Sequence, residues 1–341
     1  MCGRSFGELD GGICLVRDRL LCRRHLVIGK NGATCWQWIR AGRGIASPKG
    51  TAMDNPPTLD ELFRSAVSAI DSGDVIELER LVTAHPTLVR DRLQAPGSWL
   101  RDQVGNALDG FFKQPYLLWF VAEDPVRHGT LPANIADITR VVIRAAEREG
   151  VETLQEQLDH ALRLVSWSWI ARDCNVQIAL VDVLLDAGAT PDGNPENALV
   201  NSNFAAAAHL VERGARLTLA TALCLARWDD VRDLGATASA RDRQFAFVLA
   251  ALKGKAEALA KVIALGVDLN APCADLYSHA TALHHAVSSG SLEAVTVLVE
   301  AGASLDAKDT GYGGTPLDWA EYGKHVEIAK YLHASRSGLS R

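Results

Sequence analysis

A pattern that recurs every 34 residues near the C-terminus limits what this chain can fold into more than any other feature. The stretch TALHHAVSSGSLEAVTVLVE (281–300) aligns without gaps on TPLDWAEYGKHVEIAKYLHA (315–334), so that Thr281 falls on Thr315 and Leu298 on Leu332. Self-similarity at a fixed period of this length is typical of proteins built as stacked repeats. The sequence therefore predicts an array of similar units rather than one globule.

Further copies of the pattern extend toward the N-terminus. FAFVLAALKGKAEALAKVIALGVDLNA (245–271) has the same order of apolar segments and glycines, and NFAAAAHLVERGARL (203–217) and VQIALVDVLLDAGATPDG (176–193) repeat its second half. LFRSAVSAIDSGDVIELERLVTAHPTLV (62–89) has a Ser-Gly-Asp turn between two apolar segments. Roughly 60–333 is thus predicted to form stacked helix pairs.

The residues within one unit explain why units must stack. Leu283, Ala286 and Val287 recur at helical spacing, and Gly290 ends this first helix because glycine tolerates positive φ. A second apolar helix follows and ends at Gly302. Neither helix can bury its apolar stripe within one unit, so the neighbouring units must cover it. We expect seven or eight helix pairs.

These residues resemble the ankyrin repeat family. TALHHA and TPLDWA match the family's first element, and EAGASLDA, DAGATPDG and ERGARL match its Gly-Ala-Asp ending. The resemblance implies an all-α, ankyrin-like solenoid of stacked helix-turn-helix repeats with short β-turn or loop tips. The predicted array covers 53–334 and is clearest over 243–333, irregular over 177–240 and divergent over 60–176, with a tail at 335–341.

Two departures from the family pattern stand out. Asp318 replaces the family's histidine in the last copy, so any contact made by that imidazole is missing there. In LARWDDVRDLGATAS (225–239) there is room for only a stub of a second helix, and Gly188 and Gly214 lie only 26 residues apart. We expect irregular stacking in this part.

Two adjacent histidines raise the question of chemistry. His284 occupies the family's histidine position, where the resemblance implies that the imidazole hydrogen-bonds around the turn and ties adjacent repeats together. His285 is expected to be packed or half-exposed. The alternative is a metal-binding protein or enzyme centred on Cys273, His279, His284 and His285, although their spacing matches no common metal motif.

Composition narrows the classes of function. The net charge is −6, which disfavours nucleic acid as a partner. No run approaches 18 apolar residues, so we expect no membrane span. No phosphate-binding loop, nucleophile elbow or zinc-binding helix motif is present, and the repeats occupy nearly all of 60–333. We expect a protein that is not an enzyme, has no cofactor and is a monomer in the cytoplasm.

The first 52 residues differ from the rest. They carry nine Lys/Arg against three Asp/Glu and four cysteines, Cys2, Cys14, Cys22 and Cys35. Met53 lies just before the first predicted helix, so residues 1–52 are interpreted as a disordered extension or as upstream sequence assigned in error. Arg outnumbers Lys 26 to 9, which favours a bacterial origin.

The surface that remains for function is the one the resemblance implies for a partner protein: the loop tips and the exposed, concave face of the first helices. Aromatic residues are favoured anchors at such surfaces. The alternative for Tyr277 and Tyr312 is that they only pack their own loops. The predicted function is a non-catalytic protein–protein interaction module with an unidentified protein partner, and the candidate contact residues are Trp228, Leu252, Lys253, Tyr277, His279, Ser288, Ser289, Tyr312 and Tyr322.

Overall fold

The fold is almost entirely helical. The structure is a computed structural model that describes residues 56–338, so the predicted extension at 1–52 and Met53 lie outside the described residues. Within 56–338 the only β feature is an isolated bridge between Cys273 and Leu276. No helix in that range is long and apolar enough to cross a bilayer.

The helices are short, as expected for a repeat array. Two 3-10 helices lie at Gly105–Asp109 and Leu117–Ala122. In chain order the α-helices are α1 Leu59–Ser72, α2 Val75–Ala84, α3 Thr87–Arg90, α4 Ser98–Val104, α5 Ile135–Arg148, α6 Leu154–Trp167, α7 Trp169–Asp173, α8 Gln177–Asp186, α9 Asn194–Val200, α10 Phe204–Glu212, α11 Leu219–Cys224, α12 Trp228–Thr237, α13 Ala240–Leu252, α14 Ala256–Ile263, α15 Ala282–Ser289, α16 Leu292–Glu300, α17 Pro316–Tyr322 and α18 Val326–Gly338.

The helices form eight consecutive units within the described chain. The first helices are α1, the 3-10 helix Leu117–Ala122, α6, α9, α11, α13, α15 and α17, and each packs on the next. Their partners are α2, α5, α8, α10, α12, α14, α16 and α18. The predicted all-α solenoid of seven or eight helix pairs is therefore confirmed.

Helix ends are set by caps that the sequence carries. Thr315 and Asp318 form a capping box at the start of α17, since the threonine hydroxyl accepts from the Asp318 amide while the carboxylate accepts from the Thr315 amide. At the other end of a first helix, Gly290 closes α15 with φ 76°. In units seven and eight these local signals mark where a first helix ends or begins.

The apolar core runs along the whole array. Residues 246–251 of α13 and 282–287 of α15 are buried on every side, since each first helix is covered by a unit before it, a unit after it and its own second helix. A unit without its neighbours would expose this apolar surface, so we expect that no unit is stable by itself. The first-helix row is therefore the centre of the molecule.

The N-terminal part departs most from the repeat. In unit two the first helix is replaced by the 3-10 segment LLWFVA (117–122), all of whose residues are buried. Phe120 packs edge-on against Phe63 and Phe112 at ring distances of 6.3 and 5.1 Å. Aromatic packing thus fills the space that an amphipathic helix fills in the other units.

One expectation about helix length was wrong. The predicted stub at 225–239 is the ten-residue helix α12, which begins directly after the turn at Ala226 and continues through Gly235. Its first helix, α11, is the short member of the pair with six residues. At the C-terminal end, α18 runs to Gly338 and so extends into the segment 335–341 that the sequence analysis set apart as a tail.

Candidate functional site

The last two loop tips are tied to each other. The Ser304 amide donates to the side-chain oxygen of Asn270 at 2.8 Å, and the Thr310 amide donates to the His279 carbonyl at 2.8 Å. Farther toward the N-terminus, the Thr190 amide donates to the carboxylate of Asp159 in α6 at 2.6 Å. The tips that precede α15 and α17 are therefore connected rather than independent loops.

The last tip is organised around a buried carboxylate. Asp309 is 3% exposed, and its two oxygens accept from the amides of Gly311, Tyr312 and Gly314 at 2.8, 2.7 and 2.9 Å and from the Trp319 indole at 3.0 Å. Burial alone would raise the pKa of Asp309, but these donors outweigh it and lower the pKa to about 2. The carboxylate therefore stays charged and holds the loop in one shape.

Tyr312 is presented at the outside of this loop. Its side chain is 88% exposed, although its own amide is bonded to Asp309. The ring therefore does not pack its own loop, in contrast to Tyr277, whose half-buried ring lies 5.6 Å from that of His285 and 6.3 Å from that of His279.

His284 joins the last two units. Its Nδ1 accepts from the Thr281 hydroxyl at 2.8 Å and lies 3.3 Å from the Thr281 amide, while its Nε2 is 3.1 Å from the Gly314 carbonyl, to which it donates. Burial lowers the pKa of His284, so the imidazole is neutral in this role. The predicted tie between adjacent repeats is confirmed.

Trp319 is a surface residue that the sequence reasoning missed. Its half-buried indole stacks on His279 at 6.0 Å and lies 5.1 Å from the ring of His284. The signal in the sequence was the 34-residue offset, which places Trp319 at the position equivalent to His285. We call Tyr277, His279, Tyr312 and Trp319 the C-terminal tip surface.

The structure does not support the metal alternative. His285 is 2% exposed, and burial lowers its pKa to about 3. Both ring nitrogens of His284 are engaged by protein groups. Within residues 56–338, the one set of three or more ligand atoms close enough to share an ion is formed by Asp71, Glu123 and His128. Cys273 and the three histidines therefore do not converge.

The Asp71, Glu123 and His128 group already has its own cation. Arg127 is buried, and its guanidinium donates to Asp71 at 2.7 Å and lies 3.4 Å from Glu123. Glu123 also accepts from the Arg127 and His128 amides at 2.7 and 3.2 Å. This network fastens the loop at 123–129 to α1 and accounts for the charges without a metal.

Three predicted contact residues lie farther toward the middle of the array. The half-buried Lys253 ammonium donates to the Val200 carbonyl at 2.7 Å and to the Ser202 hydroxyl at 3.0 Å. Leu252 is half-buried beside it, and Trp228 lies under the ammonium of Lys261 at 4.9 Å. In this structure Lys253 and Trp228 thus connect units.

The remaining predicted residues are accessible. Ser288 and Ser289 at the end of α15 are exposed, and Tyr322 at the end of α17 is 70% exposed. They lie at the opposite end of their helices from the tip loops. Of the nine predicted residues, the structure brings Tyr277, His279 and Tyr312 to the same edge.

The fold and the arrangement of its loop tips define an all-helical repeat protein. The family model described as ankyrin repeats (3 copies) matches residues 167–309 and 247–338, and together these ranges span half of the 341 residues. The chain belongs to the ankyrin repeat family.

Characterised relatives share part of this array. Cyclin-dependent kinase 4 inhibitor B of Mus musculus is 37% identical over 84 residues, which are 25% of this chain and 62% of that protein. Cyclin-dependent kinase inhibitor 2A of Homo sapiens is 34% identical over 87 residues, which are 26% of this chain and 54% of that protein. The chain thus spans less than two thirds of the length of these relatives.

Proposed function

We propose that this chain is a non-catalytic protein–protein interaction module that binds a partner protein through the C-terminal tip surface. The observation that carries the proposal is Tyr312, a large aromatic side chain that is 88% exposed on a loop held by Asp309. Exposed aromatic residues are frequent anchors of protein interfaces. Because the loop is already fixed, little conformational entropy is lost when it binds.

Neighbouring residues extend this anchor into a surface. Three half-buried rings lie side by side next to this anchor. The ring of His279 is 6.3 Å from that of Tyr277 and 6.0 Å from that of Trp319. Asp309 connects this group to Tyr312 through the Trp319 indole and the Tyr312 amide. A partner can therefore contact several rings at once.

The names of the relatives suggest which partners to test first. Two are named as inhibitors of cyclin-dependent kinases, and the similarity covers about a quarter of this chain. We include protein kinases among the candidate partners on that ground. We also propose a monomeric, cytoplasmic protein of bacterial origin, supported by the sparse cysteines and the excess of Arg over Lys.

Site-specific crosslinking tests the proposed surface. A photo-crosslinking residue replaces Tyr312 in the full chain, and a matched chain carries it at Val326, which is also exposed in unit eight but lies away from the tips. We expect a partner to be captured from position 312 and not from 326. The captured protein is then purified and its affinity measured by calorimetry.

The affinity measurement decides the proposal. Loss of an anchor of this kind weakens binding by about 2 kcal/mol, or roughly 30-fold, in Tyr312→Ala. Val326→Ala should bind like the unchanged chain. Equal capture from both positions, or unchanged affinity in Tyr312→Ala, would contradict the proposed surface.

A further inference from the structure

A second surface lies at the other end of the array, on the row of second helices. A groove of about 230 Å³ opens between α2 and α5, which belong to units one and two. Val82 and Ala145 are buried at its base, while Val75 and Val141 are half-buried along it. The groove therefore offers apolar area that no described part of the chain covers.

One side of the groove carries a row of cations. Arg140, Arg144 and Arg148 all line it, and they are four residues apart on α5, so they lie on one face about one helical turn from each other. All three are exposed. A row of this kind can bind carboxylates at matching spacing, because each guanidinium can donate two parallel hydrogen bonds to the two oxygens of a carboxylate.

The existing partners of these arginines are weak competitors. Arg140 pairs with Asp137 at 2.6 Å and Arg148 with its neighbour Glu149 at 3.5 Å, and in both pairs the arginine is about half-exposed. Within the described chain, Arg144 has no carboxylate within ion-pair distance. Exposed pairs contribute little free energy, so a ligand carboxylate can replace them.

The charge of the groove is opposite to that of the array. Glu79 and Asp137 also line it, so three arginines and two acids leave the lining with a net charge of +1. Residues 53–341 as a whole carry a net charge of −12, from the total of −6 and the +6 of residues 1–52. A solvated helix face would explain the charges alone, but it would not explain why two valines, Val75 and Val141, remain half-exposed between them.

We propose that this groove binds an acidic amphipathic helix of a partner protein. From Arg140 to Arg148 α5 rises about 12 Å, which matches two turns of a bound helix lying between α2 and α5. Its apolar face would contact Val75 and Val141, and its carboxylates would contact the arginines. The basic residues 1–52 of this chain have the wrong charge to be this ligand.

A designed peptide tests this inference on the full chain, independently of the C-terminal tip surface. The probe is a fluorescent helical peptide with leucines on one face and glutamates four residues apart beside them, and binding is followed by fluorescence anisotropy. We expect Arg144→Glu to weaken binding by about tenfold or more, because it reverses a charge in contact with the ligand. The matched control is Arg232→Glu, an arginine that is 86% exposed on α12 and should change nothing.

The outcomes separate the alternatives. A scrambled peptide of the same composition has no apolar face and should bind at least tenfold more weakly if the groove is used. The proposal is overturned if the amphipathic peptide fails to bind at millimolar concentration, or if the scrambled peptide binds as tightly as the amphipathic one. It is also overturned if Arg232→Glu weakens binding as much as Arg144→Glu does. It is also overturned if anionic lipid vesicles bind in an Arg144-dependent manner and the peptide does not.

Discussion

Removal of the His284 imidazole tests how much one side chain contributes to the joint between units seven and eight. His284→Ala eliminates the contacts with the Thr281 hydroxyl, the Thr281 amide and the Gly314 carbonyl. Each hydrogen bond contributes about 1 kcal/mol net, so the expected loss of unfolding free energy is about 3 kcal/mol. The cost is not larger, because the Gly314 carbonyl keeps its bond from the Asp309 amide at 2.9 Å.

Urea unfolding followed by circular dichroism measures this loss. The matched control is Ser288→Ala on the same helix, since Ser288 is exposed and its replacement should change the unfolding free energy by less than about 0.5 kcal/mol. A loss below about 1 kcal/mol in His284→Ala, or one equal to that of the control, would refute the role assigned to the imidazole.

Three further changes probe the C-terminal units. Asp309→Asn replaces one of two accepting oxygens by a donor, so two hydrogen bonds are lost. Each contributes about 1.5 kcal/mol because the acceptor is charged, so we expect about 3 kcal/mol of destabilisation in thermal unfolding, and an unchanged midpoint would contradict this. His285 has its pKa lowered to about 3, below the unfolded value near 6.5, so stability is complete above pH 6.5 and declines toward pH 3 by up to about 1.4 kcal/mol per pH unit. Urea titrations at several pH values should show a shallower decline in His285→Leu, and an identical slope would disprove the assignment. Gly254→Ala and Gly266→Ala each place an alanine in the left-handed region, which costs about 1–2 kcal/mol. Only Gly254→Ala also brings a Cβ to 2.8 Å from Ser289 Oγ, so calorimetry should find the Gly254→Ala chain less stable than the Gly266→Ala chain.

The sequence was sufficient to predict the clearest units because their period and their local signals agree. Thr315 marks the start of α17, in agreement with its 34-residue offset from Thr281 at the start of α15, and Gly290 marks the end of α15. His284 could be assigned its tie because the family motif fixes its place at the start of a first helix. In these units a short stretch of sequence determines both the helix and the contact it makes with the next unit.

The divergent region could not be predicted in the same way. The segment Leu117–Ala122 is apolar at every position, so it has no helical periodicity, and its role as the first element of unit two depends on packing against Phe63 and Phe112. The helix α12 is longer than predicted because it continues through Gly235, which lies buried inside the helix next to Leu265. In both cases, the 3-10 segment and the length of α12, the local structure depends on tertiary packing rather than on a local sequence pattern.

The candidate site was predicted in part for a related reason. The repeat pattern placed Tyr277, His279 and Tyr312 at loop tips. The fixed shape of the last loop, however, depends on Asp309, whose hydrogen-bond donors are spread from Gly311 to Trp319. The bond from Lys253 to Val200 joins residues 53 positions apart, and no local pattern indicates it. Because the exposure of a side chain depends on the folded array, the sequence could locate the tip residues but could not show which of them is most exposed.

The central claim is that each unit is stabilised only by its neighbours, and native-state hydrogen exchange on the full chain tests it most directly. Leu298→Ala removes a fully buried side chain from α16 and should destabilise its surroundings by about 2–5 kcal/mol. The account predicts that amide protection falls in units seven and eight and their neighbour while α1 and α2 keep theirs. A uniform fall in protection from α1 to α18 would contradict it.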